Sequence, residues 1–340
     1  MVVAPARAVR HPTVDDLDRA WHVVREHLVP SPLVATSVAA DTWLKVDSWQ
    51  PTGSFKVRGA LAALSALDER ARAAGVVAAS AGNHGLGVAH GATRLGIPAT
   101  IVVPRTASAA KVAALAEFAV ELVQHGDDYE AAEAHAISLA ADGPAFISPY
   151  NDPNVIAGQA TIGHELSDEL TPPFTIVAPI GGGGLVAGLS LWATTRPGVR
   201  VVGVEADASR AVSAAVARGG IVPVPIASTL ADGLAGNLEP DSITPEIVAK
   251  YTQALTSVSE AEIRDAMRFL AARHGLVAEG SGAVALAALM AGKVEVQGPT
   301  VAVVTGRNIA LPILAEVLAA ALEGGGGGRG ISRGPGGCRR

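Results

Sequence analysis

The sequence predicts an α/β protein built on two doubly wound, mostly parallel sheets, and three observations carry that prediction. Short apolar runs of strand length alternate with longer Ala-rich stretches of helical period. Aromatics make up only 4% of a chain that is 49% hydrophobic and holds 38 glycines, and such small side chains suit parallel strands closely covered by helices. Glycine-containing loops follow two of the apolar runs and open into helical patterns, at the sheet edge where ligands of doubly wound folds gather.

In chain order, strands are expected at 43–46, 76–79, 99–103, 146–147, 175–178, 201–204 and 301–304. Helices are expected at 54–67, 84–95, 109–118, 129–141, 159–170, 185–194, 261–273, 281–291 and 311–322. The segment 76–147 holds enough of both for a small four-stranded unit, which leaves 1–75 and 148–323 for a larger one. Residues 324–340 are Gly/Arg low complexity, read as a disordered tail and excluded from the fold. The uncharged stretch 170–195 is long enough to span a bilayer, but Pro172, Pro173, Pro179 and the glycines 181–184 make it strand, loop and helix instead.

A formal net charge of −6 without a dense basic stripe argues against nucleic-acid binding. The one cysteine, Cys338, excludes an internal disulfide framework and a multi-cysteine metal site, and it fits a reducing cytoplasm. Residues 1–10 lack the apolar core of a signal peptide, so neither membrane nor secretion is expected.

The segment Gly53-Ser54-Phe55-Lys56-Val57-Arg58-Gly59-Ala60 carries the chemistry. Val57, Ala60, Leu61 and Leu64 have helical spacing, so Lys56 falls in a first helical turn. The positive end of the helix dipole and partial burial both push an ammonium pKa down there, and a neutral lysine amine can form Schiff bases. A snorkelling helix lysine is the plainer reading of Lys56 taken alone. Ser80-Ala81-Gly82-Asn83-His84-Gly85 follows the strand at 76–79 and leads into a helix; its backbone N–H groups suit an anion such as a carboxylate, or Asn83 is an ordinary helix cap. Gly181-Gly182-Gly183-Gly184 stands between a strand and a helix, where backbone amides can wrap a phosphate. Gly182, Gly184 and Ala187, with Glu205 closing the next strand, also fit a dinucleotide fingerprint, but that reading leaves the Lys56 and Ser80 segments unexplained. Thr305 places a neutral hydroxyl at the end of a late strand. His164-Glu165 fails the zincin spacing because position 168 is Asp168, and no Gly-x-Ser-x-Gly elbow is present.

Together these motifs resemble the fold type II (tryptophan synthase β-like) enzymes that use pyridoxal 5′-phosphate, in particular the serine/threonine dehydratase and serine racemase group. The resemblance runs in order over roughly residues 15–320 and adds Ile156-Ala157-Gly158-Gln159, Ala231-Asp232-Gly233, Glu279-Gly280-Ser281-Gly282-Ala283 and Thr305-Gly306-Arg307-Asn308. It implies that Lys56 holds the cofactor covalently and acts as the catalytic base, with Phe55 packed beside the cofactor. Gly181, Gly182, Gly183 and Gly184 would hold its phosphate, Asn83 would bond the ring's 3′-oxygen, and Thr305 would face the ring nitrogen, where relatives commonly carry Ser. Ser80, Ala81, Gly82, Asn83 and His84 would receive the substrate carboxylate, with Asp232 near the substrate side chain.

Three departures refine this. Ala81 stands where racemases carry a second acid/base serine, so elimination is favoured over racemisation. Some members bind a divalent ion through an acid at a strand end and another six residues on; here Glu205 is followed by Ala211, and no metal is expected. Arg307 replaces the second glycine of the usual Ser-Gly-Gly-Asn. The expected activity is dehydration and deamination of a β-hydroxy amino acid, L-threonine or L-serine foremost, to a 2-oxo acid and ammonia. Serine racemase or another lyase of β-hydroxy amino acids is the alternative on the same fold, and a non-catalytic ligand-sensing module the alternative of another class. The resemblance implies a homodimer without the regulatory C-terminal domain of biosynthetic threonine dehydratases.

Overall fold

A computed structural model describes residues 9–323; the expected tail at 324–340, Cys338 and residues 1–8 lie outside the described residues. The strands, in chain order, are β1 (Leu33–Ala35), β2 (Thr42–Val46), β3 (Val76–Ala79), β4 (Ala99–Val103), β5 (Glu121–Gln124), β6 (Ala145–Phe146), β7 (Phe174–Pro179), β8 (Val199–Ala206), β9 (Ala254–Val258) and β10 (Thr300–Val304). They form a six-stranded sheet in the order β1-β2-β10-β7-β8-β9 and a four-stranded sheet in the order β5-β4-β3-β6. All pairings are parallel except β1 with β2.

Both faces of the larger sheet are covered, which is why its central strands read as unbroken apolar runs. Successive residues of a strand point to opposite faces. Ala302 and Val304 pack with Val284, Leu286 and Leu289 of the helix Gly280–Met290, while Val301 and Val303 pack with Val186 and Leu189 of the helix Gly184–Ala193. Each fully buried valine contributes on the order of 2 kcal/mol. The smaller sheet divides alike: Val76, Ala78, Ile101 and Val103 face Val88 and Ala92 of the helix Asn83–Leu95, and Val77 and Val102 face Ala132 and Ala136 of the helix Tyr129–Ala140.

Strands β1, β5 and β9 lie on sheet edges and were not expected from the sequence pattern. Their half-solvated residues, such as Glu121-Leu122-Val123-Gln124, give no continuous apolar run. The stretch 170–195 resolves into β7, the glycine loop and the helix Gly184–Ala193, and among the described residues no helix is long and apolar enough to cross a membrane.

The helix Lys56–Ser65 is wedged between the helices Asn83–Leu95 and Pro153–Glu169. Glycines allow the approach: a Cβ at Gly158 would come within 2.6 Å of Gly59 Cα, and one at Gly87 within 3.1 Å of the Lys56 carbonyl. Two residues beyond Lys56, the buried Arg58 guanidinium pairs with Asp47 (2.7 Å) and Glu165 (2.6 Å), and Glu165 also pairs with the buried Lys45 (3.0 Å).

Candidate active site

Strands β2, β3, β7 and β10 deliver their following loops to the site from their C-terminal ends. The Gly53–Phe55 turn is pinned to the loop after β10: Phe55 N–H donates to the Thr305 carbonyl (3.0 Å), Arg307 N–H donates to the Gly53 carbonyl (2.9 Å), and Ser54 bridges Gly306. Gly53 has φ +75°, and Asn308 fills the space a Cβ there would need. Lys56 stands in the first turn of its helix, as expected, although that helix begins at Lys56 and not at Ser54. Its Nζ donates to the Pro149 carbonyl at 2.8 Å and stands 5.2 Å from the Phe55 ring centre. Burial pulls this amine down to about 8, against the opposing charge of Glu279.

The glycine loop lies against the residue that follows Pro149. A Cβ at Gly182 would overlap the Tyr150 ring, and one at Gly184 would come within 3.0 Å of Tyr150 Cα. Gly181 faces Leu234 and the Gly233 carbonyl, and Gly183, at φ +89°, caps the helix Gly184–Ala193. Thr244 Oγ1 donates to the Gly182 carbonyl at 2.6 Å, and Tyr150 Oη accepts from Glu239 N–H at 2.6 Å, so the cradle is braced from two sides.

On the opposite wall, Gly82 N–H donates to Ser80 Oγ (3.1 Å), which tightens the turn through Ala81 into the helix Asn83–Leu95. Asn83 Nδ2 donates to Glu279 Oε1 at 2.6 Å, and Asn83 Oδ1 accepts from Asn308 Nδ2 at 2.6 Å. Burial raises the Glu279 carboxyl to about 7, although the Asn83 hydrogen bond favours its anion. The His84 ring is buried and donates from Nε2 to the Ile147 carbonyl at 2.9 Å. Burial, aided by the Lys56 charge, holds it down to about 3, so it is a neutral imidazole. Only its backbone N–H, not a cationic side chain, is left to meet a carboxylate. Thr305 is buried with its Oγ1 3.5 Å from the Ser281 carbonyl, and the Ser281 hydroxyl finds no partner among the described residues. Asp232 is exposed and pairs with Lys111 at 3.4 Å, from the segment that carries the smaller sheet.

The helices meeting here share one property. Those beginning at Lys56, Asn83, Gly184 and Gly280 have no side-chain cap, whereas those beginning at Val14, Glu69, Ala109, Tyr129, Pro153 and Glu260 are capped by Thr13, Asp68, Ser108, Asp128, Asp152 and Ser259. Uncapped N-termini leave backbone donors and positive dipole ends for anions. The glycine cradle at a helix start, a lysine amine lowered to about 8 and a buried neutral hydroxyl therefore fit a phosphorylated aldehyde cofactor bound beside a carboxylate. Glu205 is spent elsewhere: it accepts from Val212 N–H (2.9 Å), Ser213 N–H (3.3 Å) and Ser213 Oγ, capping the helix Ala211–Arg218, and burial raises its pKa.

Sequence reasoning quoted the segments holding Glu279 and Asn308 without giving either residue a role, and it passed over Tyr150. The missed signals were an acid heading a glycine-flanked apolar helix and an aromatic just before the helix-capping Asp152.

The description "Pyridoxal-phosphate dependent enzyme" matches residues 22–306 of this chain. The L-threonine ammonia-lyase of Thermotoga maritima is 38% identical over 314 residues, covering 90% of this chain and 78% of that relative. The catabolic L-threonine dehydratase of Escherichia coli is 40% identical over 282 residues, covering 82% of this chain and 85% of its own. Among solved structures, maize serine racemase superposes with a TM-score of 0.84 at 29% identity, over 93% of this chain and 99% of that one. The fold type II architecture expected from the resemblance is the one observed. On the family match and on these identities, the chain belongs to the family of pyridoxal-phosphate dependent enzymes.

Proposed function

We propose that the protein is a serine/threonine ammonia-lyase that converts a β-hydroxy amino acid, L-threonine first and L-serine second, to a 2-oxo acid and ammonia. The observation that carries this reading is the half-buried Lys56 amine, lowered to about 8, beside an anion cradle. The relatives named for L-threonine support the choice of substrate.

Lys56 would hold the cofactor, Phe55 would pack beside it, the amides of Gly181–Gly184 would bind its phosphate, Asn83 its 3′-oxygen and Thr305 its ring nitrogen. When bound, pyridoxal 5′-phosphate supplies the electron sink that makes the substrate's α-proton acidic. The chain supplies the rest. Backbone N–H groups around Ser80, Ala81, Gly82, Asn83 and His84 receive the substrate carboxylate and fix the amino acid's orientation. Lys56 Nζ, in its neutral form, takes the α-proton from one face. Ala81 offers no proton on the other, so the substrate's configuration is not reversed. Asp232, paired with Lys111 at the mouth, stands near the side-chain end of the substrate.

Incubation of the purified holoenzyme with L-threonine, L-serine and 3-hydroxyaspartate, scored by 2-oxo acid and ammonia, tests the reading. Stoichiometric release from L-threonine is expected, and no release from any of the three overturns it. In the same assay Ala81→Ser should raise D-serine formation relative to pyruvate by about tenfold; an unchanged ratio rejects the role given to Ala81.

We also infer a cytoplasmic homodimer in which residues 76–147 form a small domain against a large one from 1–75 and 148–323. The single cysteine supports a reducing compartment. An unburied apolar surface supports the dimer: Val29 is 82% exposed, Trp49 58% and Leu311 76%. Gln50 Nε2 reaches the Val29 carbonyl at 3.1 Å and Arg307 bonds the Ser48 carbonyl, which draws these segments together. Sedimentation equilibrium should give twice the chain mass, with Trp49→Glu shifting the protein toward monomer; a wild-type monomer overturns the assignment.

A further inference from the structure

The Asn83 amide lies in a chain of hydrogen bonds whose direction is fixed at its far end. The Thr52 carbonyl can only accept, so the Asn308 atom that meets it at 2.8 Å is Nδ2. An amide nitrogen only donates, so the Asn83 atom 2.6 Å from that Nδ2 is Oδ1. Asn83 therefore turns its own Nδ2 to Glu279, whose Oε1 accepts at 2.6 Å. Nδ2 carries two N–H bonds, and Glu279 takes one of them. Two glycines make room: a Cβ at Gly53 would overlap Asn308, and one at Gly306 would overlap Glu279 Oε1. Glu279 is itself fixed, because it is buried and its own N–H donates to the Gly306 carbonyl at 3.1 Å.

We propose that Asn308 and Glu279 are positioning residues which, directed by the Thr52 carbonyl, lock the Asn83 amide so that it meets the cofactor as a hydrogen-bond donor and never as an acceptor. This rests on the reading that Asn83 touches the cofactor. An oxygen carrying negative charge on the ring is stabilised by an N–H and repelled by a carbonyl oxygen. Without the relay, Asn83 could turn either end of its amide toward that oxygen.

The full-length protein, freed of cofactor and titrated with pyridoxal 5′-phosphate, reports the dissociation constant by fluorescence. Asn83→Ala should weaken binding about tenfold, the size of one hydrogen bond. Asn308→Asp keeps the shape but replaces the donor with an acceptor; it should weaken binding as much, with no further loss in the Asn83→Ala/Asn308→Asp double variant. A wild-type constant for Asn308→Asp beside a weakened Asn83→Ala overturns the relay and leaves the Asn83 contact standing, as does full additivity in the double variant. A wild-type constant for Asn83→Ala overturns the contact and the relay together. Should Asn308→Asp not fold, the Glu279 pair decides. Glu279→Gln still offers an oxygen to Asn83 and should stay within about twofold, whereas Glu279→Leu should lose about tenfold; equal constants for the two overturn the proposal.

Discussion

Replacing Lys56 with alanine is expected to lower turnover of L-threonine by at least about a thousandfold, because one side chain serves as both covalent anchor and proton acceptor. Fold should be retained, since Lys56 sits at a helix start and its Nζ makes one hydrogen bond, to the Pro149 carbonyl. Borohydride treatment should add the reduced cofactor's mass at position 56 in the wild type and nowhere in the variant. The pH dependence follows from the amine. An ordinary lysine at 10.5 is about one part in a thousand neutral at pH 7.5, whereas one at about 8 is roughly a quarter neutral. Capture of pyridoxal 5′-phosphate by the cofactor-free protein should therefore accelerate as pH rises from 6 and level off above about 8, because the neutral form is the nucleophile. A variant that deaminates at the wild-type rate, or a capture rate flat across that range, would remove Lys56 from the centre of the chemistry.

What the sequence reveals of this molecule divides along a physical line. Local pattern reports elements buried on both faces: β3 and β4 lie at the positions expected from their apolar runs, and Lys56 stands in a first helical turn as the spacing predicts. The helix Val14–His27 was missed although it is amphipathic and carries the Thr13/Asp16 capping box, because it is rich in charged residues and lacks the Ala-rich run by which the other helices were read. The helix Ala211–Arg218 was missed for a different reason: its cap is Glu205, on a neighbouring strand. The pattern locates Lys56 in a first helical turn and the four glycines between a strand and a helix, where the fold has them. It does not report contacts between distant segments. Glu279 meets Asn83 across 196 positions, and Tyr150 meets the cradle only through the fold. His84 shows the limit of a motif: its position in the loop is as expected, but its side chain turns into the core.

The same long-range logic sets the second large effect, on stability. Arg58 is fully buried, with Nε and Nη2 on Asp47 (2.8 and 2.7 Å) and Nη1 and Nη2 on Glu165 (2.6 and 3.0 Å). Burial opposes its charge, yet the two carboxylates hold its pKa above the ordinary arginine value. Among the described residues Lys45 pairs with Glu165 and the partly exposed Glu169, so Asp47 depends on Arg58 for its countercharge and on Ser31 Oγ for a further hydrogen bond (2.6 Å). Arg58→Met keeps the volume but strips a buried acid of its cation, at a cost of about 3–5 kcal/mol. The melting temperature should fall by about 4–7 °C. A second, neutralising substitution separates this account from a simple packing defect. Without the guanidinium Asp47 is a buried acid stripped of its cation, whereas Glu165 keeps Lys45. Asp47→Asn removes that charge, so adding it to Arg58→Met should recover much of the lost stability. A double variant no more stable than Arg58→Met, or a melting temperature of Arg58→Met within a degree of wild type, would mean that the ion pairs beneath the Lys56 helix contribute packing alone.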